Sequence, residues 1–162
     1  MYLTPEELSV YDGSDPEKPI YLAINGTIYD VSNGRGIYGP GGSYNWFAGV
    51  DASRAYVTGC FAEDRTPDMR GVELMYLPRD DPEVDAHWTA EEMAAIKAQE
   101  LVEAREKVEK GLKHWVDFFA KSRKYNKVGL VKRGEGWLEK LEPRELCASV
   151  EKRRSKRKIP KK

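Results

Sequence analysis

The segment from Ile37 to Arg54 decides the fold of this chain, and it reads IYGPGGSYNWFAGVDASR. Two tyrosines, Tyr38 and Tyr44, stand at either end of a glycine-rich loop, and aromatic residues follow directly. Glycines let the backbone approach a flat ligand or a phosphate closely. A phosphate site would need a Gly-Lys-Ser/Thr ending, or glycines that run from a strand into a helix, and the segment offers neither. It therefore favours a cradle for an apolar ligand.

Upstream of this segment the sequence predicts a short helix and a hairpin. Thr4 and Pro5, followed by Glu7, supply a capping hydroxyl, a proline at the first helical position and an acid three residues after the cap. Apolar residues alternate on either side of Asn25-Gly26, and this dipeptide suits the positive φ angles of a type I′ turn. A two-stranded hairpin is therefore expected around residue 25.

The glycines within and after the deciding segment predict where helices can form. Residues 33–43 contain too many glycines for a helix or strand, so we expect a long loop there. One helical turn is expected before Gly49, and a helix over about 52–58, capped by Asp51 and closed by Gly59, is expected after it.

A long helix is predicted from Thr89, which begins a second capping box, to about Ser122. One apolar stripe recurs at spacings of three or four and should face the core, with Gly111 as a point of bending. The stripe comprises Leu101, Ala104, Val108, Leu112, Trp115 and Phe119. A short strand is expected over 127–132, followed by a charged segment. These elements together predict an α+β domain.

The net charge of zero hides an uneven distribution of charge. Residues 152–162 carry eight Lys or Arg, so residues 1–151 hold 19 basic and 27 acidic residues. Three interpretations of the basic tail are open: a solvated end, a contact for an anionic membrane or protein surface, and a contact for nucleic acid. The body is not uniformly basic, as a nucleic-acid-binding domain would be, so we predict no nucleic-acid partner. No stretch approaches the roughly 20 apolar residues of a membrane helix, and we expect the chain as given to be soluble.

Two cysteines, Cys60 and Cys147, permit one internal disulfide. Such a bond would tie the C-terminal segment to the core and imply an oxidising compartment, whereas two ordinary thiols are the alternative. The sequence leaves both open. It contains no CxxC motif or Cys/His cluster, which argues against a thiolate metal site.

Three stretches in order resemble the membrane-associated progesterone receptor family of cytochrome b5-like heme/steroid-binding proteins. They begin with NGTIYDVSNGR from Asn25, continue through YGPGGSY from Tyr38, and end with FAGVDASRAYVTG from Phe47. The last stretch is most similar to the neuferricin branch. The resemblance runs from Leu3 to Gly59 and resumes near Trp115. It implies a cytochrome b5-like domain with short helices around a small sheet, and the long helix would be an insertion.

The same resemblance implies that the chain binds one heme b through an axial tyrosine. In the family the second tyrosine of the loop is the iron ligand, which falls on Tyr44, and the first, Tyr38, supports it by hydrogen bonding. A lysine-tyrosine pair near the heme or its propionates falls on Lys124 and Tyr125. The resemblance therefore implies a cofactor site of Tyr38, Tyr44, Lys124 and Tyr125, with Tyr44 alone on the metal.

Elementary chemistry agrees with a tyrosine ligand for ferric iron. A free tyrosine has a pKa near 10, and a hard cation that lowers this value is bound well by the hard anionic oxygen. A bis-histidine electron carrier would need a histidine beside the loop, where this chain has Tyr38. The two histidines, His87 and His114, are predicted to be surface or packing residues. Phenolate ligation should favour the ferric state, so rapid electron transfer is not expected.

The chain departs from the family pattern between Asp68 and Trp115, where an acidic, proline-containing stretch and the long helix are additional. We predict a heme-binding domain over residues 1–142, with an insertion at about 68–114, and a charged segment over 143–162. Family members carry an N-terminal membrane anchor, and we expect a truncated or anchorless form here. The resemblance implies association with the endoplasmic reticulum or the secretory pathway.

Three functions follow as hypotheses. The first is a non-catalytic heme-binding accessory or carrier protein, which supports heme-thiolate monooxygenases or sterol metabolism and forms a heme-dependent homodimer. The second is an interaction module that has kept the fold and lost the cofactor. The third is a component of a redox enzyme. Steroid binding is written into the family's name, and no residue here argues for it independently.

Overall fold

The computed structural model describes residues 1–160, which form one four-stranded sheet surrounded by helices. The strands are β1 (Tyr2–Leu3), β2 (Tyr21–Ile24), β3 (Thr27–Asp30) and β4 (Asn126–Val131), in the spatial order β1-β4-β3-β2. β1 runs parallel to β4, while the β2–β3 and β3–β4 pairs are antiparallel. The α+β prediction is confirmed, although the sequence did not indicate β1.

The six α-helices are α1 (Pro5–Ser9), α2 (Arg35–Tyr38), α3 (Ser53–Thr58), α4 (Pro82–Asp85), α5 (Ala90–Lys121) and α6 (Ala148–Arg153). Short 3-10 helices occur at Ser32–Gly34, Asn45–Phe47 and Val72–Tyr76. The short helices α2 and α3 and the 3-10 turn between them surround the candidate site. The long helix α5 crosses behind them.

Local signals at the hairpin and at two helix starts are confirmed. Asn25 and Gly26 have φ angles of 49° and 81°, as a type I′ turn requires, and Ile24 pairs with Thr27 across it. Thr4 and Thr89 each accept a hydrogen bond from the third amide of their helices and form complete capping boxes.

The apolar stripe of α5 packs against the core as predicted. Ala104 and Phe119 are buried, and Leu112 and Trp115 pack partly buried against the core cluster that contains Phe119. The helix continues through Gly111 without a break. A Cβ atom at this position would lie 3.7 Å from Val57 of α3, an ordinary van der Waals contact, so the packing of the two helices does not require a glycine here.

Three local predictions were wrong. Residues 33–43 are not a continuous loop, because α2 and a 3-10 turn form there despite the glycines. Asp51 does not occupy the cap position of α3, which is Ala52; its carboxylate instead accepts hydrogen bonds from Gly26 and Ser53 and joins the hairpin turn to the helix. The third concerns Arg54, whose place in the first turn after Asp51 predicts a surface or cap-pairing side chain.

Arg54 is in fact fully buried, with 0% of its side chain exposed. Its guanidinium donates to the carbonyl oxygens of Asp68 and Arg70, and its Nε lies 3.4 Å from a carboxylate oxygen of Asp64. Loop residues 60–70 supply these partners, which helical spacing cannot reveal.

The C-terminal segment folds back onto the inserted region, and we call this arrangement the clamp: residues 142–158 held against residues 60–100. A disulfide joins Cys60 to Cys147, so the bonded alternative holds. The guanidinium nitrogens of Arg157 lie 2.8, 2.8 and 3.1 Å from carboxylate oxygens of Glu100, Asp80 and Asp85.

Several residues of the basic tail are therefore engaged by the chain's own acidic insertion. Lys156 pairs with Asp81 at 2.9 Å, and Arg154 donates to the carbonyl oxygen of Leu77. Lys161 and Lys162 lie outside the described residues. Among residues 1–160, no helix is both long and apolar enough to cross a membrane.

Candidate functional site

An aromatic cleft opens between the glycine-rich segment and the C-terminal half of α5. Its volume is about 320 Å³, which includes the open space at its mouth. All the residues that line it are aromatic: Tyr38, Tyr44, Phe47, Tyr56, Phe61 and Trp115. Such a surface suits a flat, largely apolar ligand, with phenol oxygens as the polar groups that orient it.

The backbone of the glycine-rich segment brings the two predicted tyrosines together. Tyr38 ends α2, and the amide of Tyr44 donates to the carbonyl oxygen of Ile37 at 3.0 Å. A Cβ atom on Gly42 would lie 2.2 Å from that same carbonyl oxygen, so only glycine permits this turn. The ring centroids of Tyr38 and Tyr44 are 6.1 Å apart as a result.

The two tyrosines occupy different environments. Tyr44 lies at the mouth with 40% of its surface exposed, whereas Tyr38 is buried with 6% exposed. Burial, assisted by the nearby phenols of Tyr125 and Tyr44, raises the pKa of Tyr38 far above its ordinary value. Tyr38 is therefore a protonated hydrogen-bond donor at any physiological pH, and Tyr44 is the accessible phenol.

The inner wall of the cleft is a stack of rings contributed by α3, α5 and the turns around them. Phe47 lies 4.3 Å from Tyr56 and 5.0 Å from Phe61, measured between ring centroids. Trp115 of α5 packs 5.5 Å from Tyr56. Helical spacing predicts Trp115 on the core-facing stripe, and the structure makes it, together with Phe47 and Tyr56, part of both the core and the cleft wall.

Residues 4–114 match the family described as cytochrome b5-like heme/steroid binding domain. This chain belongs to that family. Membrane steroid-binding protein 2 of Oryza sativa subsp. japonica is 57% identical over 76 residues, which cover 46% of this chain and 29% of that protein. Neuferricin of Xenopus tropicalis is 49% identical over 79 residues, with the same two coverages. The chain thus matches less than a third of the length of these relatives.

A solved structure gives the same result for the fold. A hypothetical protein from Arabidopsis thaliana, described as having a cytochrome b5-like fold, is 34% identical. The match covers 82% of this chain and 92% of that one, with a TM-score of 0.54. The predicted resemblance to membrane steroid-binding proteins and neuferricin, and the predicted cytochrome b5-like fold, are both confirmed.

Lys124 and Tyr125 do not line the cleft of this cytochrome b5-like domain. Tyr125 is buried behind Tyr38, at 5.8 Å in an edge-to-face arrangement, and its hydroxyl lies against Gly34. Lys124 is exposed, and its ammonium lies 5.5 Å from the centre of the Tyr125 ring. Among the predicted site residues, the structure therefore brings Tyr38 and Tyr44 into the cleft and places Tyr125 in a supporting layer.

One aromatic residue of the domain's site was missed by sequence reasoning. Phe61 closes the wall 5.8 Å from Tyr44, directly after Cys60 of the disulfide. Gly59 ends α3 with a φ of 77°, and this turn directs the chain back toward the cleft. An aromatic residue after a helix-terminating glycine was the available signal. The histidines, in contrast, are exposed on α5 and before it, as expected.

Proposed function

We propose that this chain binds one heme b in the aromatic cleft, with Tyr44 as the axial ligand, and acts as a non-catalytic accessory or carrier protein. The observation that supports this most is the accessible phenol of Tyr44 at the mouth of a wholly aromatic cleft. Ferric iron favours a hard anionic oxygen, and the rings offer flat apolar contact to a macrocycle. None of the residues that line the cleft is a histidine.

Tyr38 would support the ligand from inside the cleft. Burial holds its hydroxyl in the protonated form, so it can donate a hydrogen bond to a phenolate at Tyr44. Hydrogen bonds to an anion are about twice as strong as neutral ones. Tyr125 would act by fixing the ring of Tyr38, while Lys124 offers a positive charge near the surface for a carboxylate group.

The chemistry that ferric heme would supply here is tight binding by an anionic oxygen and a preference for the oxidised state. We therefore propose storage or delivery of heme to protein partners, such as monooxygenases of sterol metabolism. Only about 50 Å³ of the cleft is wide enough for a water-sized sphere, far below the roughly 300–1,000 Å³ of small-molecule sites, so a macrocycle must lie mostly across the mouth. An open mouth also allows a heme-dependent homodimer.

The remaining proposals concern the boundaries of the domain and its cellular location. We propose that the heme-binding domain covers residues 1–142 with an insertion at about 68–114, because β4 completes the sheet between β1 and β3. We propose association with endomembranes, because relatives are named membrane steroid-binding proteins.

The test is titration of the full chain with hemin, followed by absorption spectroscopy. Wild type should give a Soret band with a high-spin phenolate-to-iron charge-transfer feature, and Tyr44→Phe should lose that feature. Tyr2→Phe is the matched control, since Tyr2 is exposed on β1 and outside the cleft.

Other outcomes point elsewhere. If wild type fails to bind hemin specifically, the heme proposal is wrong, and the cofactor-free interaction module takes its place. Binding with an unchanged charge-transfer band in Tyr44→Phe would keep heme and move the ligand to another tyrosine.

A further inference from the structure

One polar atom of the cleft wall has no partner. The hydroxyl of Tyr56 is buried, and it makes no hydrogen bond to any residue in the described range 1–160. The ring of the same residue lines the cleft. Tyr56 therefore belongs to the cleft wall and carries a hydroxyl that the protein encloses without satisfying.

Packing alone does not account for this hydroxyl. The Tyr56 ring already contacts Phe47, Trp115 and Phe119 at centroid distances of 4.3, 5.5 and 6.0 Å. A phenylalanine would make the same contacts without burying an unsatisfied donor, which costs free energy. An orphaned buried polar group at a binding site thus indicates a partner that arrives or moves when the site is filled.

Tyr38 is the polar group of the cleft best placed to be that partner. Both tyrosines line the same small cleft, and Tyr38 is the other buried phenol among its lining residues. Burial raises the pKa of Tyr56 well above its ordinary value, and the Tyr38 phenol adds to this, so the Tyr56 hydroxyl stays protonated and can donate.

We propose that Tyr56 is a positioning residue for the tyrosine ligand, because its hydroxyl donates to the Tyr38 oxygen while Tyr38 donates to Tyr44. This inference rests on the proposed function. The Tyr38 hydroxyl carries one proton and two acceptor lone pairs. Once that proton is directed at an anionic Tyr44 oxygen, Tyr38 becomes a better acceptor, and Tyr56 satisfies it. Hydrogen bonds in such a chain strengthen one another.

The experiment compares Tyr56→Phe with wild type in two states of the full chain. Without heme, the variant should melt at the same temperature or higher, because the unsatisfied hydroxyl is removed. With hemin, its dissociation constant should rise roughly three- to tenfold, the worth of one hydrogen bond, and the phenolate-to-iron charge-transfer band should shift. Tyr29→Phe, in the core but outside the cleft lining, is the control and should leave band and affinity unchanged.

The directions of the changes in melting temperature and in hemin affinity distinguish a positioning role from a packing role. A merely structural role would lower the melting temperature of the heme-free variant, and that result would overturn the proposal. Wild type that fails to bind hemin refutes the proposed function itself. Wild type that binds, together with Tyr56→Phe that binds equally well with an unshifted band, refutes only the role of Tyr56.

A double variant tests the route through Tyr38. If Tyr56 acts on the ligand through Tyr38, Tyr56→Phe should have no further effect on the band in a Tyr38→Phe background. A full additional shift in the double variant would contradict the relay, because Tyr56 would then act without Tyr38.

Discussion

The cleft and the clamp are held together by opposite means. The cleft lining is entirely aromatic, and its rings pack on one another and, through Tyr56, on the buried ring of Phe119. The clamp is held by a disulfide and by arginine and lysine side chains on acidic partners. Apolar contacts depend little on salt or redox state. Exposed ion pairs weaken as the salt concentration rises, and disulfides break under reducing conditions. The cleft should therefore keep its structure under reducing or high-salt conditions that loosen the clamp.

The largest expected effect comes from removing a buried aromatic ring that packs against the cleft wall. Phe119→Ala should lower the free energy of unfolding by about 3–5 kcal/mol, because a side chain with 1% exposure leaves a cavity. Denaturant unfolding measures this loss. Phe118→Ala is the matched control, since the adjacent ring is 46% exposed and should cost less than about 1 kcal/mol. Equal losses would mean that α5 does not bury the face described.

Removing the disulfide should weaken the clamp and spare the cleft. Cys60→Ala combined with Cys147→Ser should lower the free energy of unfolding by about 2–4 kcal/mol, because an 87-residue closure is lost. Limited proteolysis should then cut within residues 142–158 before any other region. Dithiothreitol should reproduce the effect in wild type and add nothing in the variant. Early cleavage around the cleft would show that the two regions are not independent.

The smallest effects, and the sharpest contrast, should come from pH. Hydrogen bonds from Arg157 and Lys156 hold the pKa values of Asp80 and Asp81 below their ordinary range. Their contribution to stability is present above the unfolded pKa of about 4 and is lost as the pH falls through the lower folded values. The Asp80 side chain is 64% exposed, so solvent screens its ion pair and the contribution to stability is small.

The cleft should respond in the opposite direction. Burial raises the pKa values of Tyr38 and Tyr56, so the stability linked to their protonated forms is present below pH 10 and declines above it. Proteolysis of residues 142–158 should therefore increase in acid, and near-ultraviolet circular dichroism from the aromatic rings should fall in alkali. Loss of both signals at the same end of the pH range would remove the distinction between the regions.

The sequence could predict the features that depend on residues close together in the chain. Asn25-Gly26, the caps at Thr4 and Thr89, and the stripe that includes Phe119 each act within a few residues, so the hairpin and the helix boundaries followed. The meeting of Tyr38 and Tyr44 in the cleft was expected from the family resemblance, which implied a shared role for the two tyrosines.

What depends on distant partners could not be predicted. Arg54 is buried because the loop after α3 surrounds its guanidinium, and Arg157 is engaged because residues 57 to 77 positions away carry the carboxylates. Spacing within one element cannot reveal either arrangement. The solitary hydroxyl of Tyr56 is likewise visible only when all its neighbours are known.

The strand order β1-β4-β3-β2 also bears on how the protein is made. During synthesis the hairpin of β2 and β3 emerges early, but its partner β4 follows only after about 95 further residues. Closing so long a loop is slow, because its entropy must be lost before the strand contacts compensate for it. The edge of β3 therefore stays unpaired on the nascent chain until β4 has been synthesised.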